Sequence, residues 1–95
     1  MTVFAVHYTY DDRTDRRDEV RPEHRAYLGR LESEGTLLAS GPYADEGVPG
    51  ALLVMSAGSA EEVDALLDTD PFVREGLVSA RVVREWTQVF GPWVP

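Results

Sequence analysis

Four stretches of the chain have the hydrophobic pattern of β-strands. The first is rich in β-branched and aromatic residues, and the third is apolar on both of its alternating faces. The predicted strands are Thr2–Tyr10, Thr36–Tyr43, Gly50–Ala57 and Val78–Phe90. The last strand cannot continue into the tail Gly91–Pro95, because proline has no N–H to donate to a strand ladder.

The first helix is predicted by apolar positions that recur every three or four residues. It begins at Val20 or Pro22 and ends at Glu34. Its buried face carries His24, Tyr27, Leu28 and Leu31. Pro22 suits a first helical turn, where its missing N–H is not needed, and Gly35 supplies a C-terminal stop. The charged stretch Asp11–Glu19 in front of this helix is predicted to be a loop.

A capping box formed by Ser59 and Glu62 predicts the start of a second helix. Asp70 then begins a shorter helical turn, because it is a good N-cap followed by proline, and Gly76 ends that turn. The resulting order of elements is βαββαβ. This order is that of the ferredoxin-like arrangement, an α+β fold with a four-stranded antiparallel sheet.

The sheet is predicted to be buried on both faces. Two helices can cover only one face of four strands, yet the third strand is apolar on both sides. In the last strand, Val82, Trp86 and Phe90 are out of phase with Val83 and Val89, so apolar side chains point to both sides. A second copy of the chain covers the other face most simply, and we therefore predict a symmetric homodimer.

The composition is that of one small globular domain spanning residues 1–95. Hydrophobic residues make up 43% of the chain and charged residues 27%. The chain contains no cysteine, which excludes disulfides and thiolate metal sites. It has no apolar run of about 20 residues to span a membrane and no recognisable secretion signal. A cytoplasmic location without membrane association is therefore predicted.

The net charge of −8 disfavours a nucleic-acid partner. Nucleic-acid binding needs clustered lysine and arginine, and the chain contains no lysine. Its basic cluster, Arg13, Arg16 and Arg17, is interleaved with acidic residues, so we predict that it lies in a solvated loop. The two histidines lack the spacing of a metal site, and no Gly-rich phosphate loop is present, so no metal and no cofactor are predicted.

His24 is the residue best suited to proton transfer. Histidine changes its charge closer to neutral pH than other side chains do, and this one lies on a buried helix face. A carboxylate would fix its tautomer and raise its basicity, and Asp70 is the candidate. Each residue also has a structural explanation, as a hydrogen-bonded core histidine and as a helix cap. His7, in the first strand, is interpreted as a packed or interface histidine.

Three short motifs occur along the chain in a specific order. They are Arg21-Pro22-Glu23-His24, Ser40-Gly41-Pro42 and Asp70-Pro71-Phe72-Val73 with Gly76. In this combination the chain resembles the YciI-like (YCII) family over nearly its whole length. The charged stretch Asp11–Glu19 and the Pro-Trp tail depart from the family pattern, and they leave the rim of the cleft and hence the substrate open.

The resemblance implies a dimeric α/β barrel whose active site is a His–Asp pair, here His24 and Asp70. It also implies a substrate cleft lined by Arg21, Ser40, Gly41 and Pro42. The few members of the family with assigned chemistry are lyases, such as one that dehydrochlorinates a chlorinated hydroxyquinol. Related barrels include isomerases and monooxygenases.

Two functions remain open on these grounds. In the first, the protein is a lyase- or isomerase-like enzyme in which His24, polarised by Asp70, is the general base for a small organic substrate. In the second, it is a non-catalytic module that binds a small ligand or a partner, and His24 only completes a hydrogen-bond network. A haem-degrading monooxygenase is disfavoured, because the histidines offer no haem signature. The enzyme hypothesis predicts that His24 and Asp70 lie within hydrogen-bonding distance.

Overall fold

The computed structural model describes residues 2–94, which form four strands and three helices. The elements are β1 (Thr2–Tyr10), α1 (Thr14–Ser33), β2 (Leu37–Pro42), β3 (Gly50–Ala57), α2 (Ala60–Leu67), α3 (Pro71–Arg74) and β4 (Val78–Glu85). The strands form one antiparallel sheet in the order β2-β3-β1-β4. This is the predicted ferredoxin-like α+β arrangement, with the predicted helical turn present as α3.

The helices pack on one face of the sheet. In register, Val6 of β1 lies between Leu53 of β3 and Val83 of β4, and residues two apart on each strand share its face. The buried core on this face comprises Phe4, Val6, Tyr8, Leu37, Ala51, Leu53, Met55 and Ala57 of the sheet and Tyr27, Leu28, Leu31, Val63 and Leu67 of the helices. The stripe predicted for the first helix is therefore the one that packs on the sheet.

The first helix starts earlier than predicted, because the segment interpreted as a charged loop is helical from Thr14 onward. The interpretation failed at Arg17, which is 4% exposed and continues the buried stripe back from Val20 and His24. Its guanidinium donates to the backbone oxygen of Asp11 and to the hydroxyl of Thr14, so the charge is compensated inside the structure. The prediction of a solvated cluster was consequently wrong at this residue.

Pro22 does not lie in the first turn, as predicted, but inside α1. The backbone carbonyl four residues before it cannot receive the usual helical hydrogen bond, because proline has no N–H. The C-terminal end of the helix agrees better with expectation. Gly35 follows it with a φ of 81°, a conformation that favours glycine.

The last strand ends at Glu85 rather than at the predicted Phe90. β4 pairs with β1 in an antiparallel register that places Glu85 opposite Phe4, and the amide of Trp86 donates to the backbone oxygen of Val3. Because the strands are antiparallel, residues after Trp86 run past the start of β1 at Thr2 and have no strand there to pair with. The apolar residues after Trp86 extend the hydrophobic pattern but not the strand.

Gly50 lets β3 approach its neighbour β1 closely. A Cβ atom built at this position would lie 2.2 Å from the backbone oxygen of Tyr8, which is far inside van der Waals contact. Glycine is therefore required where β3 begins. This contact lies at the backbone of Tyr8, whose side chain points to the helical face of the sheet and belongs to the candidate site described below.

The second face of the sheet carries no helix among the described residues. Val82 and Trp86 are 49% and 41% exposed on the molecule as a single chain. Within residues 2–94 the structure contains no helix long and apolar enough to cross a membrane, and the cytoplasmic location stays a prediction.

Candidate active site

Asp70 lies completely buried between the sheet and the first helix, where three donors point at its carboxylate. Oδ1 accepts hydrogen bonds from His24 Nδ1 at 2.8 Å and from the amide of Phe72 at 3.0 Å. Oδ2 accepts one from the hydroxyl of Tyr8 at 2.9 Å. The bond to Phe72 is the N-cap of α3, so one carboxylate both starts a helix and binds an imidazole.

The hydrogen bond to Asp70 fixes how His24 presents its ring. An ionised carboxylate has no proton to donate, so in its hydrogen bond with Asp70 the donor is Nδ1 of His24, and Nε2 is left unprotonated in the neutral ring. Within residues 2–94, Nε2 has no hydrogen-bond partner, and no partnerless side-chain nitrogen or oxygen is fully enclosed. The free nitrogen of His24 is therefore accessible from the adjoining cavity.

Aromatic stacking holds the imidazole in this orientation. The ring of His24 stacks on that of Phe72, with centroids 3.9 Å apart and planes 2° from parallel. The ring of Tyr10 meets that of Phe72 edge-on, with centroids 5.5 Å apart. The guanidinium of Arg17 in turn lies over Tyr10, 5.0 Å from the ring centroid. Two sides of the imidazole are thus fixed, one by the carboxylate and one by a ring.

A cavity of about 600 Å³ opens in front of His24. Its polar or charged lining residues are Tyr10, Arg21, His24, Arg25 and Ser40, and its other lining residues are Leu28, Gly41, Pro42, Ala51, Leu53 and Phe72. Asp70 does not line the cavity and lies behind the imidazole. The cavity is large enough for a small organic molecule.

The structure brings the predicted site residues together. Arg21, Ser40, Gly41 and Pro42 all line the cavity in front of His24. Ser40 and Pro42 lie on the edge strand β2, opposite Leu53 and Ala51 of β3, and so on the helical face of the sheet. Their roles in catalysis and in substrate binding stay predictions, because their positions alone do not establish them.

The tyrosines around Asp70 are held in their protonated form. Burial and then the carboxylate of Asp70 raise the pKa of Tyr8 far above its usual range, so this hydroxyl is a donor at all ordinary pH values. Burial, followed by the same carboxylate, also raises the pKa of Tyr10, against the lowering effect of Arg17 and Arg21.

Sequence reasoning missed several residues of the site. Tyr8 and Tyr10 occupy alternate positions of β1, and their shared face with Phe4 and Val6 was a signal that they point toward the helices. Arg25 lies one helical turn after Arg21, a spacing that places two side chains on one helix surface. No local pattern indicated that the ring of Phe72 would stack on His24, since the two are far apart in the sequence.

The other histidine lies away from this cavity. His7 is exposed on the second face of the sheet, where Nδ1 is 2.5 Å from the hydroxyl of Tyr43. It is therefore not packed within the single chain, as one of the sequence interpretations had it, and an interface role stays a prediction. Among residues 2–94, no group of three or more His, Cys, Asp or Glu side chains could hold a metal ion.

Comparison with known proteins finds relatives along most of the chain. Protein YciI from Escherichia coli O6:H1 and from Shigella flexneri is 34% identical over 87 residues, covering 83% of this chain and 89% of the relative. Protein YjpA from Bacillus subtilis is 35% identical over 83 residues, covering 83% of this chain and 94% of the relative.

Among solved structures, the fold is similar to 5-chloro-2-hydroxyhydroquinone dehydrochlorinase of Burkholderia phenoliruptrix AC1100 in complex with 2,5-dihydroxybenzoquinone. The TM-score is 0.79 at 27% identity, covering 90% of this chain and 93% of the other. An antibiotic biosynthesis monooxygenase matches with a TM-score of 0.58 at 16% identity, covering 94% and 99% of the two chains, which shows a shared fold alone. The family model of the YCII-related domain matches residues 1–87, and the chain therefore belongs to this family.

Proposed function

We propose that the protein is an enzyme in which His24 and Asp70 form a general acid/base pair for a small organic substrate. The observation that supports this most directly is the 2.8 Å hydrogen bond between Asp70 Oδ1 and His24 Nδ1, which leaves Nε2 free toward the cavity. A base needs this arrangement, with one nitrogen held by a carboxylate and the other open to substrate.

In the proposed reaction, Nε2 of His24 takes a proton from a C–H or O–H group of the substrate, and Asp70 stabilises the imidazolium that forms. In an isomerisation, the imidazolium returns the proton to a different atom. In an elimination, the electron pair of the broken C–H bond forms a double bond, and the leaving group departs with its own pair. A positioned base of this kind contributes about 10²–10⁴-fold to the rate.

The lyase form of this reaction is favoured by the similarity to the dehydrochlorinase. That enzyme is named for the loss of hydrogen chloride from a hydroxylated ring, and it was solved with a hydroxylated quinone bound. We propose that Arg21 and Ser40 bind oxygen atoms of a comparable small ring in this protein. Gly41 and Pro42 would form the wall beside it, without a Cβ on Gly41 to narrow the cavity.

A non-catalytic binding module is the alternative, and one observation favours it. Asp70 also caps α3, and His24 also packs on Phe72, so the pair has structural contacts that would exist without any reaction. On this reading the cavity binds a metabolite and His24 holds the network together.

The variant His24→Asn separates the two functions. Its amide nitrogen can still donate to Asp70, whereas nothing replaces Nε2 as a base. We expect this variant to remain folded by circular dichroism and to lose about 10²–10⁴-fold in rate. The rate is measured by NMR, as deuterium exchange into or elimination from a panel of chlorinated and hydroxylated rings.

Glu23→Gln is the matched control, because Glu23 is an exposed neighbour of His24 that does not line the cavity. It should retain the wild-type rate. Turnover that survives in His24→Asn would contradict the role of His24 as the base. A wild-type protein without turnover, together with a His24→Asn variant that loses only thermal stability, would favour the binding module.

We also propose that the protein is a homodimer through the face of the sheet that carries no helix. The exposed Val82 and Trp86 lie on or beside this face, and the sequence pattern already required burial on both sides. A symmetric copy presents the same apolar patch and would cover it.

A further inference from the structure

The cavity in front of His24 has a charge opposite to that of the molecule. The chain has 17 acidic and 9 basic residues, for a net charge of −8. Yet the charged side chains that line the cavity are the arginines Arg21 and Arg25, beside the titratable His24, and none of the lining residues is acidic. In so acidic a protein, a cavity with this lining provides a local site for an anion.

Most arginines of the chain are neutralised by acidic neighbours. The ion pairs join Arg13 and Arg17 to Asp11, Arg16 to Glu19 and Glu75, Arg21 to Asp18, Arg30 to Glu34, and Arg81 to Asp64 and Asp68. Acidic residues thus neutralise these arginines through ion pairs. Among residues 2–94, the arginines that form no ion pair are Arg25, Arg74 and Arg84.

Arg25 is such an arginine, and it lies at the cavity. Among residues 2–94 it forms no ion pair, no hydrogen bond and no contact with an aromatic ring. Arg21 and Gly29, one turn before and after it on the helix, supply no negative charge. Glu32 lies in a shallow depression that Arg25 also borders, but the two side chains do not pair. No structural contact therefore accounts for its position at the cavity.

We infer that the ligand of this cavity is a small organic carboxylate with an apolar body, an inference that rests on the proposed function and names its substrate class. Arg25 binds the carboxylate, because a guanidinium presents two parallel N–H donors to the two oxygens. Arg21, already paired with Asp18 at 2.5 Å, adds positive potential beside it. The apolar body packs against Leu28 and Phe72, with the reacting bond toward His24.

The test uses benzoate and its uncharged counterpart benzamide as probes of the complete chain. Binding is measured by NMR chemical-shift titration for the wild type and for Arg25→Gln. We expect benzoate to bind the wild type in the millimolar range or tighter, and more tightly than benzamide. Arg25→Gln should weaken benzoate binding by about fivefold, the upper end of what a single ion pair near the surface supplies, and should leave benzamide binding unchanged.

Arg30→Gln is the matched control. Arg30 is an exposed arginine of the same helix that does not line the cavity, so its loss changes the net charge equally and should leave benzoate binding unchanged. Added salt should weaken benzoate binding and not benzamide binding, because it screens only the charged probe. Equal binding of the two probes, failure of benzoate to bind, or equal effects of the two substitutions would overturn the inference.

The same titration on His24→Asn keeps this inference separate from the proposed reaction. Benzoate binding that depends on Arg25 and persists in His24→Asn supports a carboxylate site whether or not the histidine is a base. Loss of turnover in His24→Asn without any effect of Arg25→Gln on benzoate would leave the enzyme proposal standing and remove only the carboxylate.

Discussion

At the scale of single residues, Asp70 links the fold to the candidate site. Its carboxylate caps α3 through the amide of Phe72, holds His24 by Nδ1 and receives the hydroxyl of Tyr8, all without exposure to solvent. An N-cap by itself needs only one such bond. The other two bonds join the cap to the sheet and to the first helix, so a change at Asp70 affects three elements at once.

Asp70→Ala should therefore cost more stability than the loss of an ordinary cap. We expect a fall of about 3 kcal/mol or more in the free energy of unfolding, because Tyr8 and the amide of Phe72 lose a buried acceptor. The matched change is Ser59→Ala, at the cap of α2, where the hydroxyl accepts only from the amide of Glu62 at 3.2 Å and the cost should be about 1 kcal/mol. Urea unfolding measures both, and equal losses would contradict a linking role for Asp70.

The raised pKa of Tyr8 predicts that the protein loses stability at alkaline pH. Burial and the carboxylate of Asp70 raise the pKa of this tyrosine, so the folded state keeps the proton that the unfolded state loses above a pH of about 10. The stabilising effect is complete below that pH. Above it, the free energy of unfolding should fall by about 1.4 kcal/mol per pH unit for each such tyrosine.

Tyr8→Phe tests this in urea unfolding between neutral pH and pH values above 10. At neutral pH it should cost about 1.5–3 kcal/mol, the range for a hydrogen bond to a charged group, and at high pH the dependence should become shallower. Burial also raises the pKa values of Tyr10 and Tyr27, so part of the dependence should remain. An unchanged slope would show that Tyr8 does not contribute.

At the scale of elements, the first two turns of α1 support the helix that carries Asp70. Arg13 donates to the backbone oxygen of Gly76 at 2.8 Å, and Arg16 pairs with Glu75, both at the end of α3. Val20 packs in a small cluster with Phe72 and Leu77. The segment that the charge pattern assigned to a loop is thus a helix that holds α3 in place, which is why its charged residues have partners.

Pro22 interrupts the hydrogen bonding of α1, so we expect its replacement to stabilise the protein. Pro22→Ala restores the missing N–H in an exposed position of the helix interior and should raise the free energy of unfolding by about 1–3 kcal/mol. Thermal unfolding measures the change. Glu23→Ala, at the adjacent exposed position, should stay within about 0.5 kcal/mol of the wild type. A Pro22→Ala variant that melts at or below the wild-type temperature would contradict this account.

At the scale of the whole molecule, the sheet separates two faces with different surroundings. The helical face contains the core and the cavity, and the other exposes apolar side chains that include Val82. The proposed dimer would bring together two copies that each carry a net charge of −8. Long-range repulsion between them opposes association, and salt screens it, with a screening length of about 10 Å at 0.1 M.

Sedimentation should consequently show a dimer that tightens as salt increases. Val82→Asp should weaken it by about tenfold or more, because a symmetric interface buries the new charge twice. Val48→Asp is the matched control, since Val48 is an exposed valine in the loop between β2 and β3 and the change in charge is the same. A monomer at micromolar concentration in the wild type, or equal effects of the two substitutions, would refute the dimer.

The sequence alone determined the element order, the helical stripe from His24 to Leu31 and the caps at Ser59 and Asp70, because hydrophobic period and capping chemistry are local properties. Through motifs whose combination resembles the family, it also indicated five of the residues that line the cavity, Arg21, His24, Ser40, Gly41 and Pro42. It did not place Arg17, whose charge is buried only because Asp11, Thr14 and Tyr10 meet it in the fold, nor the end of β4, which depends on where β1 begins.

Only the tertiary structure decided how the site is built. The contact of His24 with Asp70 joins residues far apart in the chain, and its third partner, Tyr8, comes from the central strand. Likewise, Arg25 is one arginine among nine in the sequence, and only the fold shows that it lines the cavity without an acidic partner. Local patterns specify which residue types are present and on which face, whereas contacts between distant elements decide which charges are neutralised and which remain for a ligand.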